Sequence, residues 1–325
     1  MYNFKKHILL FHISFNFYQF IIDAEVYRLE LNLKEIRLYI VNQHRNYSIS
    51  WKSFYDAYSL EQLDKRTKRL LPELATLIPS VKSVNIIDQK MKFKLDISKT
   101  PTFPPTLFTY QAIFHDHMNY NKKLRKNISF PKFSVRKDVV KKTNNILDEW
   151  LRHSGTIGFI TITLRESKFD PNRNSNFKAL SDFSKYLKAQ NIKILPLPDV
   201  ENRLTTLETD APLTLIDNAI NNIHVRNYLY QRSLLNIFGS NGPTTLCVYS
   251  TEIPYIVMNF FPDDSEVRQS DREANAWFDL NPYIEPSIYR TFWSNSDKQY
   301  LVNGKETIDN LKIHFERIIS SNYKK

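Results

Sequence analysis

The chain carries one cysteine, Cys247, among its 325 residues. A single thiol excludes an intrachain disulfide framework, any cysteine-cluster zinc site and any iron–sulfur cluster, and it fits a reducing compartment. Glycine is nearly as scarce. There are five, all beyond residue 154 (Gly155, Gly158, Gly239, Gly242, Gly304), where a share of about 7% is usual. The first 154 residues therefore hold neither a Walker loop nor a G-x-G-x-x-G turn. Long apolar runs are missing as well. Lys5 and Lys6 precede Ile8 to Ile13 in the charge order of a signal peptide, but His12, Asn16 and Gln19 interrupt the run and no small-residue cleavage site follows. Asp23 and Glu25 arrive before the length of a membrane span is reached, so a strand and a helix in a cytoplasmic protein are expected instead.

What is present describes a folded protein: 42% hydrophobic and 24% charged residues lie near the globular norm. The net charge of +11 is unevenly placed, because Lys82 to Lys142 holds fourteen Lys and Arg against four Asp. The flanking halves are close to neutral. No zinc-finger spacing, RNP motif or basic heptad region accompanies the basic stretch, so nucleic acid is not an expected partner. An outward-facing stretch of this kind is suited to anionic lipid surfaces, to which each Lys or Arg adds about 1 kcal/mol. A plain solvated segment is the alternative.

Strand-like and helix-like runs alternate in both halves, the pattern of parallel sheets with crossover helices. In the first half Ile8 to Ile13, Ile36 to Val41 and Val81 to Ile87 read as strands. Phe17, Phe20, Ile21, Ala24, Tyr27, Arg28 and Leu31 recur at helical spacing, and Ser59 with Gln62 forms a capping box for a helix that Pro72 should kink. Residues 90 to 133 follow no period. The second half predicts helices over Asp138 to His153, Asn174 to Gln190, Val225 to Leu235 and Glu306 to Ile319, and one beginning at Pro243. Phe159 to Leu164, Ile192 to Leu197, a short strand ending over Asn236 to Ser240, and Tyr255 to Phe260 are its expected strands. Two doubly wound α/β domains, 1–135 and 136–325, with a closing C-terminal helix, are the simplest architecture.

Ligands of open α/β sheets bind beyond the carboxyl ends of strands, which selects three places. Arg165 follows a strand and offers a fork suited to phosphate, with Arg173 and Asn174 shortly after; the alternative is a structural pair with Glu166 or Asp170. Asp199 stands at the position many nucleotide folds use for ribose, or caps a turn. Gly239 to Thr245 is a tight turn feeding a helix start, where backbone N–H groups and the hydroxyls of Ser240, Thr244 and Thr245, with Asn241 and Gly242, are suited to an anion. Strand–turn–helix junctions without ligands also use Gly and Pro this way. His115, Asp116 and His117 are candidates for a general base, a metal-binding pair, or surface residues.

The segments T-I-T-L-R-E-S (161–167), R-N-S-N (173–176), L-P-D-V-E (197–201), R-N-Y-L-Y-Q-R-S-L-L-N (226–236) and G-S-N-G-P-T-T-L (239–246) resemble the ordered motifs of bacterial GT-B glycosyltransferases. The likeness is to members with a fucosyltransferase-like or heptosyltransferase-like nucleotide-sugar-binding second domain. F-N-F-Y-Q-F-I-I-D-A-E-V-Y-R (15–28) is similar to the first helix of that group. The resemblance implies two Rossmann-like domains facing a central cleft, the second holding a nucleotide-sugar and the first the acceptor and base. Arg165 would meet the donor diphosphate, and Gly239 to Leu246 would be the pyrophosphate-binding helix start. No D-x-D motif is present, so a donor held without an obligatory metal or cofactor is expected. The implied activity is sugar transfer to a glycan or lipid-linked acceptor in polysaccharide biosynthesis; a non-catalytic scaffold and a nucleotide-sugar epimerase use the same fold.

Overall fold

A computed structural model describes residues 17–42, 58–88, 133–152, 156–168, 171–199, 207–250, 252–259, 288–289, 297–302 and 304–323. The expected strand Ile8 to Ile13 lies outside them. The chain divides into two units, Met1–Ser134 and Val135–Lys325.

In the first unit, helix α1 (Phe17–Glu30) buries Phe17, Ile21, Ile22 and Val26. Strand β1 (Ile36–Asn42) pairs in parallel with β2 (Val81–Asp88). Parallel neighbours need a crossover. Part of it is α2 (Leu60–Lys65), where Gln62 N–H donates to Ser59 Oγ at 3.2 Å and Ser59 N–H to Gln62 Oε1 at 2.8 Å. A π turn, Arg66–Leu70, then leads into α3 (Leu71–Ala75) with Pro72 in its first turn. Pro72 has no N–H to donate and its ring crowds the carbonyl four residues back, so the turn before it widens and Leu71 N–H reaches Arg66 O. Glu25, acidic and buried within α1, is accounted for structurally. It binds Arg28 at 2.7 and 2.9 Å and accepts the Ser80 hydroxyl, while Arg28 also donates to Leu33 O.

The second unit opens with α4 (Lys137–Arg152), followed by β3 (Gly158–Leu164), a 3-10 turn (Pro171–Arg173), α5 (Phe177–Ala189) and β4 (Ile192–Pro198). Helices α6 (Leu213–Asn221) and α7 (Ile223–Arg232) precede β5 (Asn236–Phe238). A second 3-10 turn (Gly242–Thr244), α8 (Thr245–Val248), β6 (Tyr255–Val257), β7 (Ile288–Tyr289), β8 (Gln299–Val302) and α9 (Ile308–Tyr323) complete it. The strands form one six-stranded sheet in the order β4-β3-β5-β6-β8-β7, parallel except for the edge strand β7.

Both faces of that sheet are covered. Ile160, Ile162 and Leu164 of β3 pack with Leu180, Phe183 and Leu187 of α5 and with Leu311, Phe315 and Ile318 of α9. On the opposite face Phe159 meets Trp150 of α4 at 5.9 Å between ring centroids, and Thr163 shares a 2.8 Å hydrogen bond with the Tyr230 hydroxyl of α7. The unit is therefore a doubly wound, three-layer α/β domain, and near-continuous apolar strands such as β4 follow from burial on both faces.

Three readings from sequence need correction. The helix expected from Val225 to Leu235 is α7, which starts earlier because Asn222 Oδ1 caps it by accepting from His224 and Val225 N–H, and which stops at Arg232. Helix α6, immediately before it, has no counterpart among the helices expected from sequence. The helix expected from Pro243 amounts to one 3-10 turn and the four residues of α8. It ends early because the chain must turn back into β6, a path fixed by the Gln299 amide, which donates to Ser250 O at 2.7 Å and Ile253 O at 2.9 Å. Among the described residues no helix is long and apolar enough to cross a membrane.

Candidate functional site

Strand order locates the crevice. From β3 the chain crosses to β4 on one side, then returns past β3 to place β5 on the other. The helices of these crossovers, α5 and α7, lie on opposite faces, so the sheet opens between them at the carboxyl ends of β3 and β5. Doubly wound sheets bind ligands at such a reversal.

Arg165 leaves β3 at this point with only 4% of its surface exposed. Its backbone is clasped by Ser175, whose Oγ accepts from Arg165 N–H and whose N–H donates to Arg165 O, both at 2.9 Å. The guanidinium donates from Nη1 to Asn174 Oδ1 at 2.8 Å. That same oxygen accepts Ser167 N–H at 2.9 Å, and Asn174 Nδ2 returns a bond to Ser167 O at 3.0 Å. Asn174 thus holds the Arg165 side chain and closes the loop that carries it. Of the two ion-pair partners considered from sequence, Glu166 is exposed and Asp170 lies outside the described residues.

Arg173 joins this loop to the turn after β5: its Nε donates to Ser240 O at 2.9 Å and lies 3.2 Å from Ser240 Oγ. Ser240 and Asn241 are buried in that turn, and Asn241 Nδ2 reaches Thr163 O at 3.4 Å. The Thr244 hydroxyl donates to Asn241 Oδ1 and the Thr245 hydroxyl to Gly242 O, both at 3.0 Å. Both hydroxyl protons are thereby used to build the turn. Asp199 follows β4, its N–H bonded to Leu164 O at 2.7 Å.

Glu306 was not found from the sequence. It lies between β8 and α9, buried with 6% of its surface exposed. Its Oε2 accepts Asn176 N–H at 2.7 Å, and its backbone carbonyl accepts Asn176 Nδ2 at 2.9 Å. Its Oε1 sits 2.9 Å from where a Cβ on Gly239 would be. Burial pushes the carboxyl up to about 7, against the opposing pull of the Asn176 N–H bond. The signal available in sequence was an acidic residue shortly after a strand and just ahead of a helix.

No family model matches the sequence, and no curated protein matches it significantly. Among solved structures, the crystal structure of the glycosyl transferase family 9 from Veillonella parvula DSM 2008 aligns over 96% of this chain and 96% of its own, with a TM-score of 0.48 and 10% sequence identity.

The edge of the second unit thus brings together Arg165, Arg173, Asn174, Ser240, Asn241 and Glu306. Two guanidinium groups beside a buried serine suit an anion with several oxygens, and a carboxyl that titrates near neutrality can hold or release a proton. With only four residues, α8 adds little dipole, so the positive charge comes from the arginines. His115, Asp116 and His117, and most of the Lys82 to Lys142 stretch, lie outside the described residues. Among the described residues no cluster of three or more His, Cys, Asp or Glu is arranged to hold a metal ion.

Proposed function

We propose that the crevice at the carboxyl ends of β3 and β5 binds the diphosphate of a nucleotide-sugar, and that the chain is a glycosyltransferase acting on a glycan or polysaccharide acceptor. The observation that carries this reading is the bond from Arg173 to Ser240. It joins the loop after β3, with its two arginines, to the turn after β5, at the place where strand order reverses. The step from an anion to a nucleotide-sugar rests on the resemblance of segments 161–167, 173–176, 197–201, 226–236 and 239–246 to GT-B glycosyltransferases. Asp199, at the end of the neighbouring strand, would face the nucleoside.

In the reaction an acceptor hydroxyl attacks the anomeric carbon, the bond from that carbon to the diphosphate breaks, and the nucleoside diphosphate leaves with the electron pair. Arg165 and Arg173 would stabilise the charge it carries away. The hydroxyl proton goes to a base on the acceptor side, for which residues 1–135 supply His115, Asp116 and His117 as candidates. A cytoplasmic protein whose Lys82 to Lys142 stretch meets anionic lipid would be placed near lipid-linked acceptors.

Thermal-shift measurements with UDP, GDP, ADP and CMP, followed by assays of sugar release with and without acceptor, test the reading. Stabilisation by one nucleoside diphosphate and acceptor-dependent turnover are expected. A nucleotide that binds without turnover leaves a scaffold, turnover without acceptor points to hydrolase or epimerase chemistry, and no stabilisation by any of them refutes the site.

A further inference from the structure

We infer that Glu306 is the protonatable wall of the anion site, taking up a proton when a diphosphate settles beside Gly239 and Ser240, so that anion binding and proton binding are coupled. This rests on the anion-binding reading above and gives it a pH dependence that the arginines alone would not produce.

The geometry leaves Glu306 little freedom. Oε2 is tied to Asn176 N–H at 2.7 Å, and the neighbouring backbone carbonyl to the Asn176 amide at 2.9 Å. With that oxygen fixed, Oε1 is held over Gly239, 2.9 Å from its Cβ position, and among the described residues it accepts no hydrogen bond. Gly239 adjoins Ser240, whose carbonyl and hydroxyl receive Arg173. Phosphate oxygens drawn to Arg173 and Ser240 therefore approach a carboxylate oxygen with open lone pairs, on a residue only 6% exposed. Two like charges this close at a largely buried residue repel. Protonation removes that charge and turns Oε1 into a donor toward phosphate oxygen.

The surrounding charges do not cancel this effect. Arg165 and Arg173 stand on the loop after β3, Lys178 in the first turn of α5, Lys305 beside Glu306 and Asp309 in the first turn of α9, while Gly239, Ser240, Asn241 and Asn176 bring no charge. Burial is what raises the Glu306 carboxyl, and Arg165 and Arg173 are the groups a diphosphate would neutralise. Burial already places the carboxyl at about 7, so the anion has only a modest distance to push it before a proton binds at physiological pH.

Calorimetry decides the matter, with the nucleoside diphosphate that stabilises the protein and inorganic pyrophosphate as probes. Binding is measured at pH 6 and pH 8 in buffers of different ionisation enthalpy, on the wild type, on Glu306→Gln, which keeps an acceptor for Asn176 N–H, and on Glu306→Ala. The wild type should take up close to one proton per nucleotide at pH 8 and the variants none. A nucleoside diphosphate is fully ionised at that pH, so the wild type is informative even where a variant fails to fold. Glu306→Gln should bind roughly tenfold more tightly than wild type at pH 8 and about equally at pH 6, since each pH unit above the free-site pKa costs about a factor of ten. Equal proton uptake by wild type and variants, or parallel affinities at both pH values, overturns the role of Glu306 and leaves the anion site standing. Absence of binding to every protein at pH 6 refutes the anion site, and this inference with it.

Discussion

Arg226 donates from Nη1 to the hydroxyl of Tyr230, one helical turn further along α7, at 3.3 Å, and both side chains are fully buried. The same guanidinium donates from Nε to Ala219 O at 3.1 Å and from Nη2 to Pro198 O at 2.6 Å. Among the described residues it meets no carboxylate. Its charge is accommodated by three neutral oxygens, one of them in the last turn of α6, where the helix dipole favours a cation. One side chain therefore fastens α6, α7 and the end of β4 together. Arg226→Met would take the donor from the Ala219 and Pro198 carbonyls, each at a cost of about 1–3 kcal/mol, while the Tyr230 hydroxyl keeps its bond to Thr163. Urea unfolding should show a loss of at least about 2 kcal/mol, and Arg226→Lys should recover only part, because one ammonium on a flexible stem cannot span three acceptors. A methionine variant as stable as the wild type would show that the guanidinium is no tie.

The readable parts of this fold are those whose signal is local. Strand β3 and helix α5 declare themselves by period, and the Ser59–Gln62 box contains both of its partners within one helical turn. Strand β8 does not. It has four residues and begins with the buried polar Gln299, whose purpose lies in the carbonyls of Ser250 and Ile253. Arg165 and the Ser240 turn could be chosen from sequence because each follows a strand. Their joining through Arg173 spans 67 residues, and the bond that orients Glu306 spans 130. No spacing rule reaches that far, and the titration of Glu306 depends on burial that only the assembled sheet edge provides.

The two site arginines should differ when changed to lysine. Arg173→Lys loses the Nε–H that meets Ser240, and the planar guanidinium offered to phosphate, while leaving the cores untouched. Affinity for the stabilising nucleotide should fall about tenfold or more, as expected for loss of a charge-assisted bond of about 1.5–3 kcal/mol, with little change in melting temperature. Arg165→Lys should lower both, because the buried guanidinium also holds Asn174 at 2.8 Å. Melting temperature and affinity measured on the same preparations separate the roles. Unchanged affinity in a destabilised Arg165→Lys protein would make that residue purely structural.

Two buried groups should give stability opposite pH dependences. Burial, aided by the nearby charge of Arg136 and opposed by Asp138, pushes His224 down to about 4. Its unfolded form binds a proton more readily, so its contribution is complete above about 6.5 and is lost as pH falls toward 4. Glu306 is pushed up to about 7, so its contribution is complete below about 4.5 and is lost as pH rises toward 7. Denaturant midpoints should therefore shift in favour of His224→Asn, relative to wild type, as pH is lowered from 6.5 to 4. They should shift in favour of Glu306→Gln as pH is raised from 4.5 to 7. Differences that do not vary with pH would show that neither group changes its titration on folding.

Gly239 leaves no free room for a side chain. An added methyl would lie 2.9 Å from Glu306 Oε1 and 3.8 Å from Arg173 O, the first closer than real Cβ atoms come to other heavy atoms. The obstacle is the end of a side chain, normally able to swing aside at little cost. Here the other carboxyl oxygen is held at 2.7 Å by Asn176 N–H, so moving Oε1 strains or breaks the bond that caps the start of α5. Gly239→Ala should therefore destabilise the protein by about 1–3 kcal/mol, the usual range for overpacking. Glu306→Ala removes the obstacle and the bond together, so adding Gly239→Ala to it should cost much less than in the wild type. A double-mutant cycle on unfolding free energies measures this directly, with a coupling of about 1 kcal/mol or more expected for residues in contact. Additive effects would mean that the glycine is tolerated for its backbone alone, and that the carboxyl does not press on the turn where the anion is proposed to bind.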